Sequence, residues 1–361
     1  MNVLILADAG FSRREAALLS RLETGLAGEG VQVTRAVPIG APGAGSIAVR
    51  TIEYQDRGLG LTRGLRAAQF VSAISESRRG AEGPIDVVHA FGDWPMAAEV
   101  ARRLGAGLAY EVWCAGLCTR AAGVIGRAPA LFLVPDQAVE RALFRQGVGI
   151  SVRTTPWGVP VPARPARILE KGRTVGVMVV GSGADRAGFA AAVEGLAAAI
   201  RDRPEVMVFV DAVAARAAEI WPLVRRLGLA ERITLAPDME ALRRLTLSGD
   251  VLLLPEAMGE HRSLVLEAMA AGLAVVAAAD PMVSHLADRR TGRLVAGADA
   301  PLWAETMREV FEDPAGARAL AASGRQFVGE NHRVGNHVGL VLDAYEWLIS
   351  RAAIPMRPRA G

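Results

Sequence analysis

The sequence contains very little lysine and very little cysteine. Lys171 is the only lysine among 361 residues, so arginine supplies nearly all of the positive charge. The two cysteines, Cys114 and Cys118, fit neither a zinc-site spacing nor a thioredoxin-type spacing, and two thiols cannot complete a four-ligand site. The cysteine content therefore excludes a disulfide scaffold and a cysteine zinc module.

The sequence also lacks a stripe of like charge. Its formal net charge is only +3, and the arginines are scattered among 38 acidic residues. Nucleic-acid binding surfaces concentrate basic residues on one face. We therefore expect no nucleic-acid partner.

No apolar run reaches the length of a transmembrane helix, because charged residues interrupt each one. The first ten residues, MNVLILADAG, lack the basic region and the cleavage site of a signal peptide, so we interpret them as a first strand. These features predict a cytoplasmic protein.

Short apolar runs alternate with helical patterns in both halves of the chain. A proline-rich stretch at 156–165 separates the halves and predicts a linker. This pattern predicts an α/β fold with two doubly wound, Rossmann-like domains that face each other across a cleft. The predicted domains are 1–160, 161–335 and a C-terminal helix at 336–361 that crosses back to the first domain.

The most informative segment is 250–279, which predicts a βαβ unit. Its helix begins near Ser263, a residue that can cap a helix, and ends at Gly272, which can adopt a left-handed conformation. This helix is apolar on nearly every face, yet Glu267 lies in its middle. A buried carboxylate needs a partner. Two interpretations stay open: Glu267 is solvated or paired with an arginine, or it binds a ligand hydroxyl.

Several other residues each have a functional and a structural interpretation. His89 ends a buried strand and either faces a cleft or is a hydrogen-bonded core residue. Asp93 and Trp94 either line an acceptor pocket, with the indole against a sugar ring, or anchor a loop. Gly181, in the sequence GSGADRAG, suggests a phosphate cradle, and Asp211 either lies near a nucleotide or caps its own helix.

The order of elements and the second-half motifs resemble a known family. The segments LEAMAAG at 266–272, AVV at 274–276 and DRRTGRLV at 288–295 are similar to motifs of retaining, nucleotide-sugar-dependent glycosyltransferases of the two-Rossmann-domain (GT-B) type, in the large family-four group. DVVHA at 86–90 and WGV at 157–159 are similar to first-domain motifs of that family. The resemblance covers most of the chain and is strongest between 250 and 296.

The resemblance implies a donor site with several departures. Glu267 matches the family glutamate that binds the ribose hydroxyls, whereas its partner glutamate falls on Gly259, one residue before Glu260. The positions of the arginine and lysine that bind the diphosphate are occupied by Ser182 and Ala187.

The predicted site has three parts. The donor-binding residues are Glu267, Arg262, His261, Ser263, Leu264, Arg186 and Gly181. The acceptor-side residues are Asp93, Trp94 and Trp113, the last at the position of a family histidine. The catalytic residue is unknown, with Glu260 and His89 as candidates. No metal and no cofactor is expected, because the nucleotide-sugar is a co-substrate and cationic side chains and helix amides stabilise the leaving group.

Two functions remain open, and a third is weaker. The first is transfer of a sugar from a nucleotide-sugar donor with retention, to an acceptor that is a glycan, a lipid or a small molecule. The second is a catalytically inactive protein of the same fold that acts as a binding or regulatory partner. An oxidoreductase or epimerase is disfavoured because the sequence has no complete dinucleotide fingerprint. Peripheral membrane association and a protein partner also stay open.

Overall fold

The computed structural model describes residues 1–40, 49–55, 62–78, 83–123, 130–148, 151–246 and 248–352. The chain divides into two compact units. Unit 1 comprises residues 1–158 and 334–361, and unit 2 comprises residues 159–333.

Unit 1 contains a parallel sheet with strand order β3-β2-β1-β4-β5-β6-β7. Its strands are β1 (Asn2–Ala7), β2 (Gln32–Pro38), β3 (Arg50–Tyr54), β4 (Val87–Phe91), β5 (Gly107–Glu111), β6 (Ala130–Val134) and β7 (Val152–Thr154). Its helices are α1 (Ala9–Arg14), α2 (Ala16–Gly28), α3 (Arg63–Ser77), α4 (Trp94–Leu104), α5 (Ala115–Ala122), α6 (Gln137–Arg145) and the last helix of the chain, α14 (Val334–Ala352).

Unit 2 contains a second parallel sheet with strand order β10-β9-β8-β11-β12-β13. Its strands are β8 (Val175–Val179), β9 (Val206–Asp211), β10 (Ile233–Ala236), β11 (Val251–Leu254), β12 (Ala274–Ala278) and β13 (Arg293–Val295). Its helices are α7 (Arg186–Ala199), α8 (Ala212–Ala217), α9 (Trp221–Arg226), α10 (Met239–Leu245), α11 (Ser263–Ala271), α12 (Ala300–Glu312) and α13 (Pro314–Asn331).

The core of unit 2 packs helices closely onto the sheet. Trp303 of α12 is fully buried, and it lies so close to Gly195 of α7 that a Cβ at 195 would stand 2.3 Å from the Cβ of Trp303. The strands β8 and β11 are apolar throughout and buried along their whole length, as expected for strands covered by helices on both faces.

The predicted fold class is confirmed, because both sheets are parallel and alternate with helices. The hydrophobic pattern predicts continuous helices over 13–28 and 214–227, and the structure divides each of these segments between two helices. The first divides at Glu15, and the second divides at Glu219, which has a φ of +54°, before Pro222 opens the next helix.

The glycine, proline and alanine content of residues 38–60 predicts a long loop, and this prediction is wrong for residues 50–54. This segment forms β3, whose register pairs Ala36 with Ile52 and Pro38 with Tyr54. Ile52 and Tyr54 are buried while Arg50, Thr51 and Glu53 are exposed, and this alternation is the period-two pattern of a strand. Residues 41–48 and 56–60 of the predicted loop, and the C-terminal tail 354–361, lie outside the described residues.

Candidate functional site

The neighbouring strands β8 and β11 mark the switch point of the unit 2 sheet. The chain proceeds from β8 to β9 and β10 on one side, then returns to β11 and continues to β12 and β13 on the other. In open parallel sheets, ligands bind beyond the carboxyl ends of the two strands at such a point. Here those ends lead into loop 181–185 and loop 255–262.

The carboxylate of Glu256 bridges these two loops. Oε1 accepts hydrogen bonds from the backbone amides of Ser182 and Gly183, the latter at 2.6 Å, and Oε2 accepts one from the amide of Asp185 at 2.8 Å. The side chain is only 3% exposed. Sequence reasoning missed Glu256, although an acid that directly follows Pro255 at the end of a buried strand is a detectable signal.

Gly181 lies against the same carboxylate. A Cβ at position 181 would stand 2.6 Å from Oε1 of Glu256 and 3.0 Å from the ring of Phe189. The glycine was predicted to let phosphate approach the loop. In the structure, the close approach that it permits is that of Glu256.

Glu267 of α11 pairs with an arginine that sequence reasoning also missed. Its Oε2 accepts a hydrogen bond from Nε of Arg243 at 3.0 Å, and both side chains are 9% exposed. The hydroxyl of Ser263 lies 3.4 Å from Oε1 of Glu267 and accepts from Nη2 of Arg243 at 3.1 Å. Arg243 belongs to α10, and its sequence neighbour Arg244 is exposed, so only the helical face distinguishes the two.

The predicted cap of α11 is corrected. Ser263 is the first residue inside the helix, and Arg262 occupies the N-cap position without a capping side-chain hydrogen bond. The hydroxyl of Ser263 is therefore available to the Glu267 pair. Gly272 ends the helix with a φ of +87°, as predicted.

The loop before α11 contains a second acid–arginine pair. Nε of Arg262 donates to Oε1 of Glu260 at 2.7 Å, and the two side chains are 5% and 15% exposed. Gly259 has a φ of +63°, and its amide donates to Oδ2 of Asp280 at 2.8 Å. A glutamate at 259, where the family places one, would be strained in that left-handed conformation.

A cavity of about 310 Å³ lies on another face of α11. It is lined mainly by apolar side chains from the carboxyl ends of β11 and β12, together with Glu260, Arg262 and His285. Val265 lines it, whereas Glu267 does not, and two residues apart in a helix point about 200° apart. This apolar cavity and the Glu267 pair are thus separate features of unit 2.

Three buried histidines lie together in unit 2. The ring centroid of His261 is 4.7 Å from that of His285 and 6.5 Å from that of His332. All three are at most 4% exposed. The predicted donor-binding residue His261 therefore belongs to a cluster of aromatic rings.

The side chains of two other predicted donor residues take no part in the hydrogen bonds of the Glu267 pair described above. Arg186 is 60% exposed and forms an ion pair with Glu219 at 2.8 Å, so its guanidinium is on the surface. The side chain of Leu264 is fully buried in the core, and only its backbone amide at the start of α11 can contact a ligand. Asp211 caps α8, as its structural interpretation predicted, by accepting from the amide of Val213 at 2.8 Å.

His89 lies in a closed hydrogen-bond network inside unit 1. Its Nδ1 is 2.7 Å from the hydroxyl of Tyr345, and its Nε2 is 3.1 Å from Oε2 of Glu111. Nε1 of Trp157 donates to the other oxygen of Glu111 at 2.5 Å. Burial, together with the charge of Glu111, raises the pKa of Tyr345 well above its usual value.

This network corrects the view of His89 as a catalytic candidate. The imidazole is fully buried and both ring nitrogens have partners. Because Tyr345 belongs to α14, His89 links the last helix of the chain to β4 and β5. The structure supports the alternative interpretation, a hydrogen-bonded core histidine.

The predicted acceptor-side aromatic residues are also packed inside unit 1. Trp94 is 3% exposed, and its ring centroid lies 4.7 Å from that of Tyr110. Trp113 is 5% exposed and lies 4.5 Å from Phe11. Neither ring presents a free face to a sugar, so the prediction is corrected for both. Asp93 is half-buried, in a left-handed conformation with a φ of +37°, at the start of α4.

Comparison with known proteins agrees with this architecture. Residues 174–313 match the family model described as "Glycosyl transferases group 1". No curated protein sequence matches the chain. The recognition from sequence is confirmed at this level: the chain has the GT-B fold of its glycosyltransferase neighbours, and a part of its second unit matches the group 1 model. Retention stays a prediction.

Several solved structures share the fold over almost the whole chain. Sucrose-phosphate synthase from Thermosynechococcus elongatus has a TM-score of 0.75 at 19% identity and covers 97% of this chain and 100% of its own. HepE from Anabaena, in complex with UDP and glucose, has a TM-score of 0.76 at 15% identity, covering 96% and 100%. WaaG, a glycosyltransferase involved in lipopolysaccharide biosynthesis, has a TM-score of 0.65 at 17% identity, covering 96% and 99%.

In the ranges that the structure describes, none of the helices has both the length and the hydrophobicity that crossing a membrane requires.

Proposed function

We propose that this protein transfers a sugar from a nucleotide-sugar donor to an acceptor, with retention of configuration. The acceptor is a glycan, a lipid or a small molecule. The donor would bind to unit 2, and no metal or cofactor would take part. The match of residues 174–313 to the glycosyl transferases group 1 model supports the general reaction.

The observation that carries the proposal is the Glu267–Arg243–Ser263 arrangement. A carboxylate with 9% exposure, hydrogen bonded to a guanidinium and a hydroxyl, is preorganised because its partners fix its orientation. A diol can donate to such a carboxylate in the way that the family resemblance implies for ribose hydroxyls. The residual exposure leaves room for this contact, which full burial would not.

The same region contains guanidinium groups and helix amides that a leaving diphosphate can contact. Arg243 pairs with Glu267 and Arg262 pairs with Glu260, so these four side chains sum to zero charge. The N-terminal amides of α11 supply a positive potential in addition to the two guanidinium groups. Electrostatic stabilisation of this kind is a large term in group transfer.

The experiment is a thermal-shift and calorimetric screen against UDP, GDP, ADP and their sugar conjugates. Binding to the folded protein raises the melting temperature. We expect one nucleotide class to bind with micromolar affinity, and Glu267→Ala and Arg243→Ala each to weaken it at least tenfold. The matched controls are Glu240→Ala and Arg244→Ala, which remove an exposed acid and an exposed arginine from the same helix, α10.

Turnover of the donor that binds then tests the chemistry. Retention predicts that the anomeric configuration of the product, measured by NMR, equals that of the donor. The absence of any thermal shift with every nucleotide at millimolar concentration would contradict the proposal.

A further inference from the structure

We propose that Glu256 determines how this protein handles the phosphates of its ligand, because its carboxylate occupies the amide site at the switch point of unit 2. An anion would otherwise bind there. The inference rests on the proposed function only in taking a nucleoside diphosphate as the natural ligand. Its central claim, that Glu256 excludes other anions from loop 181–185, concerns the loop itself.

The first argument is the set of hydrogen-bond donors. Three backbone amides, those of Ser182, Gly183 and Asp185, converge on one carboxylate. Successive amides that point into one concavity form an anion-binding nest, the geometry that holds phosphate groups in many proteins. In this protein, the anion in the nest belongs to the chain.

The second argument is that the loop has no space for another group while Glu256 is present. At Gly181 a Cβ would meet the Glu256 carboxylate, and at Gly183, with a φ of +74°, it would stand 2.4 Å from the backbone oxygen of Ala214. Both sides of the loop are therefore in close contact, one with Glu256 and the other with α8. A phosphate group, which is larger than a methyl group, cannot enter without displacing the carboxylate.

The third argument is charge. In the described part of the chain, the hydrogen bonds to the Glu256 carboxylate come from backbone amides, which carry partial charges only. Arg186, the first residue of the helix that follows the loop, is turned to the surface by Glu219. An anion that approached loop 181–185 would meet a carboxylate that forms no ion pair with a guanidinium among the described residues. The diphosphate of a ligand must then bind outside this loop.

The test uses inorganic diphosphate as the probe, with calorimetry on the full-length protein. We expect no binding by the wild type at millimolar concentration and at least tenfold tighter binding by Glu256→Ala, which vacates the nest. Glu256→Gln should give an intermediate gain, because it removes the charge and keeps most of the volume. Glu305→Ala, which removes an exposed acid from α12, is the matched control for net charge and should behave like the wild type.

The inference is overturned if Glu256→Ala and Glu256→Gln both fold, by circular dichroism and melting, yet bind inorganic diphosphate no better than the Glu305→Ala control. A measurement on the wild type covers the case in which neither variant folds. The amide NMR signals of Ser182 and Gly183 should not move when inorganic diphosphate is added. A shift of these signals at millimolar concentration would show that the nest is open.

The same titrations separate this inference from the proposed function. If no nucleotide binds any variant but inorganic diphosphate binds Glu256→Ala, the inference holds and the proposed function fails. If a nucleoside diphosphate binds the wild type, Glu267→Ala loses it, and the folded Glu256 variants gain no affinity for inorganic diphosphate, the proposed function holds and the inference fails.

Discussion

The two sheets have the same arrangement of strands around their switch points, but the acidic residues that lie there have different hydrogen-bond partners. In unit 1 the switch point lies between β1 and β4, and in unit 2 it lies between β8 and β11. Asp8 follows β1 directly, and Glu256 follows β11 after one proline. Each acid therefore lies beyond the carboxyl end of a central strand, the place where such sheets bind ligands.

The difference lies in the partners of the two acids. Asp8 accepts from the amide of Phe11 at 2.7 Å and so caps its own helix, α1. Glu256 accepts three amides from the loop after the neighbouring strand and so connects two segments that are more than 70 residues apart in sequence. The first is a local contact that a short motif specifies. The second exists only in the folded sheet, and it changes what the loop can bind.

We expect the largest loss of stability from a substitution at the switch point of unit 1. Gly92 has a φ of +95°, and a Cβ there would lie 1.9 Å from Oδ2 of Asp8. Gly92→Ala combines an unfavourable backbone conformation with this overlap, so we expect the free energy of unfolding to fall by about 4 kcal/mol. Urea denaturation measures it.

The control for that prediction is Gly297→Ala. Gly297 has a comparable φ of +72°, but a Cβ there would meet nothing within 4 Å. This substitution should cost only about 1 kcal/mol, the backbone contribution alone. Equal losses for the two variants would show that the contact between Gly92 and Asp8 is unimportant.

The second prediction concerns a difference in burial between an acid–arginine pair of unit 1 and one of unit 2. Unit 1 contains the pair Glu23–Arg35 at 3.4 Å, with side-chain exposures of 0% and 1%, whereas the Glu267–Arg243 pair of unit 2 keeps 9% on each side. Burial raises the pKa of Glu23 from 4.5 to about 7, and the charge of Arg35 opposes this rise. As the pH rises, Glu23 therefore loses its proton at a higher pH in the folded state than in the unfolded state.

The sign of the pH effect follows. The stability contributed by the proton on Glu23 is fully present below pH 4.5 and is lost as pH rises to about 7, a change of about 3 kcal/mol. Urea denaturation of the wild type between pH 4.5 and 7.5 should show this slope, and Glu23→Gln should remove it. Glu29→Gln, at an exposed acid beside the same helix, should keep it. A flat profile for the wild type would contradict the prediction.

The smallest expected effect concerns the acid of unit 1. Asp8→Ala removes the side-chain cap of α1 and should lower the free energy of unfolding by about 1 kcal/mol, while Asp8→Asn should restore most of it. Neither variant should gain affinity for inorganic diphosphate. A gain like that expected for Glu256→Ala would mean that the two switch points function alike.

Most of the fold was predictable because burial imposes a pattern on the sequence. A parallel strand covered on both faces has to be apolar throughout, and VLLL in β11 and AVVAA in β12 satisfy that requirement. The positive φ of Glu219 was not predictable, because it arises from surrounding contacts, although Pro222 is a local signal that the helix predicted over 214–227 is divided.

The candidate site was predictable only in part. The sequence identified Glu267 as an acid in an apolar helix, a conflict that can be recognised locally. It could not choose between Arg243 and Arg244 as its partner, since the choice depends on which face of α10 packs toward α11. His89 was wrongly considered a catalytic candidate. A titratable residue at the end of a strand suggests a catalytic role, and only the folded structure shows that its partners are Glu111 of β5 and Tyr345 of α14.

Local sequence patterns specified the two parallel sheets and the left-handed end of α11 at Gly272, since hydrophobic period and glycine conformation act over a few residues. Tertiary structure alone decided that Glu256 fills loop 181–185 and that Glu267 meets Arg243. These contacts join segments distant in the chain. Whether a carboxylate binds a ligand or the protein itself depends on the donors that folding brings within about 3 Å of it.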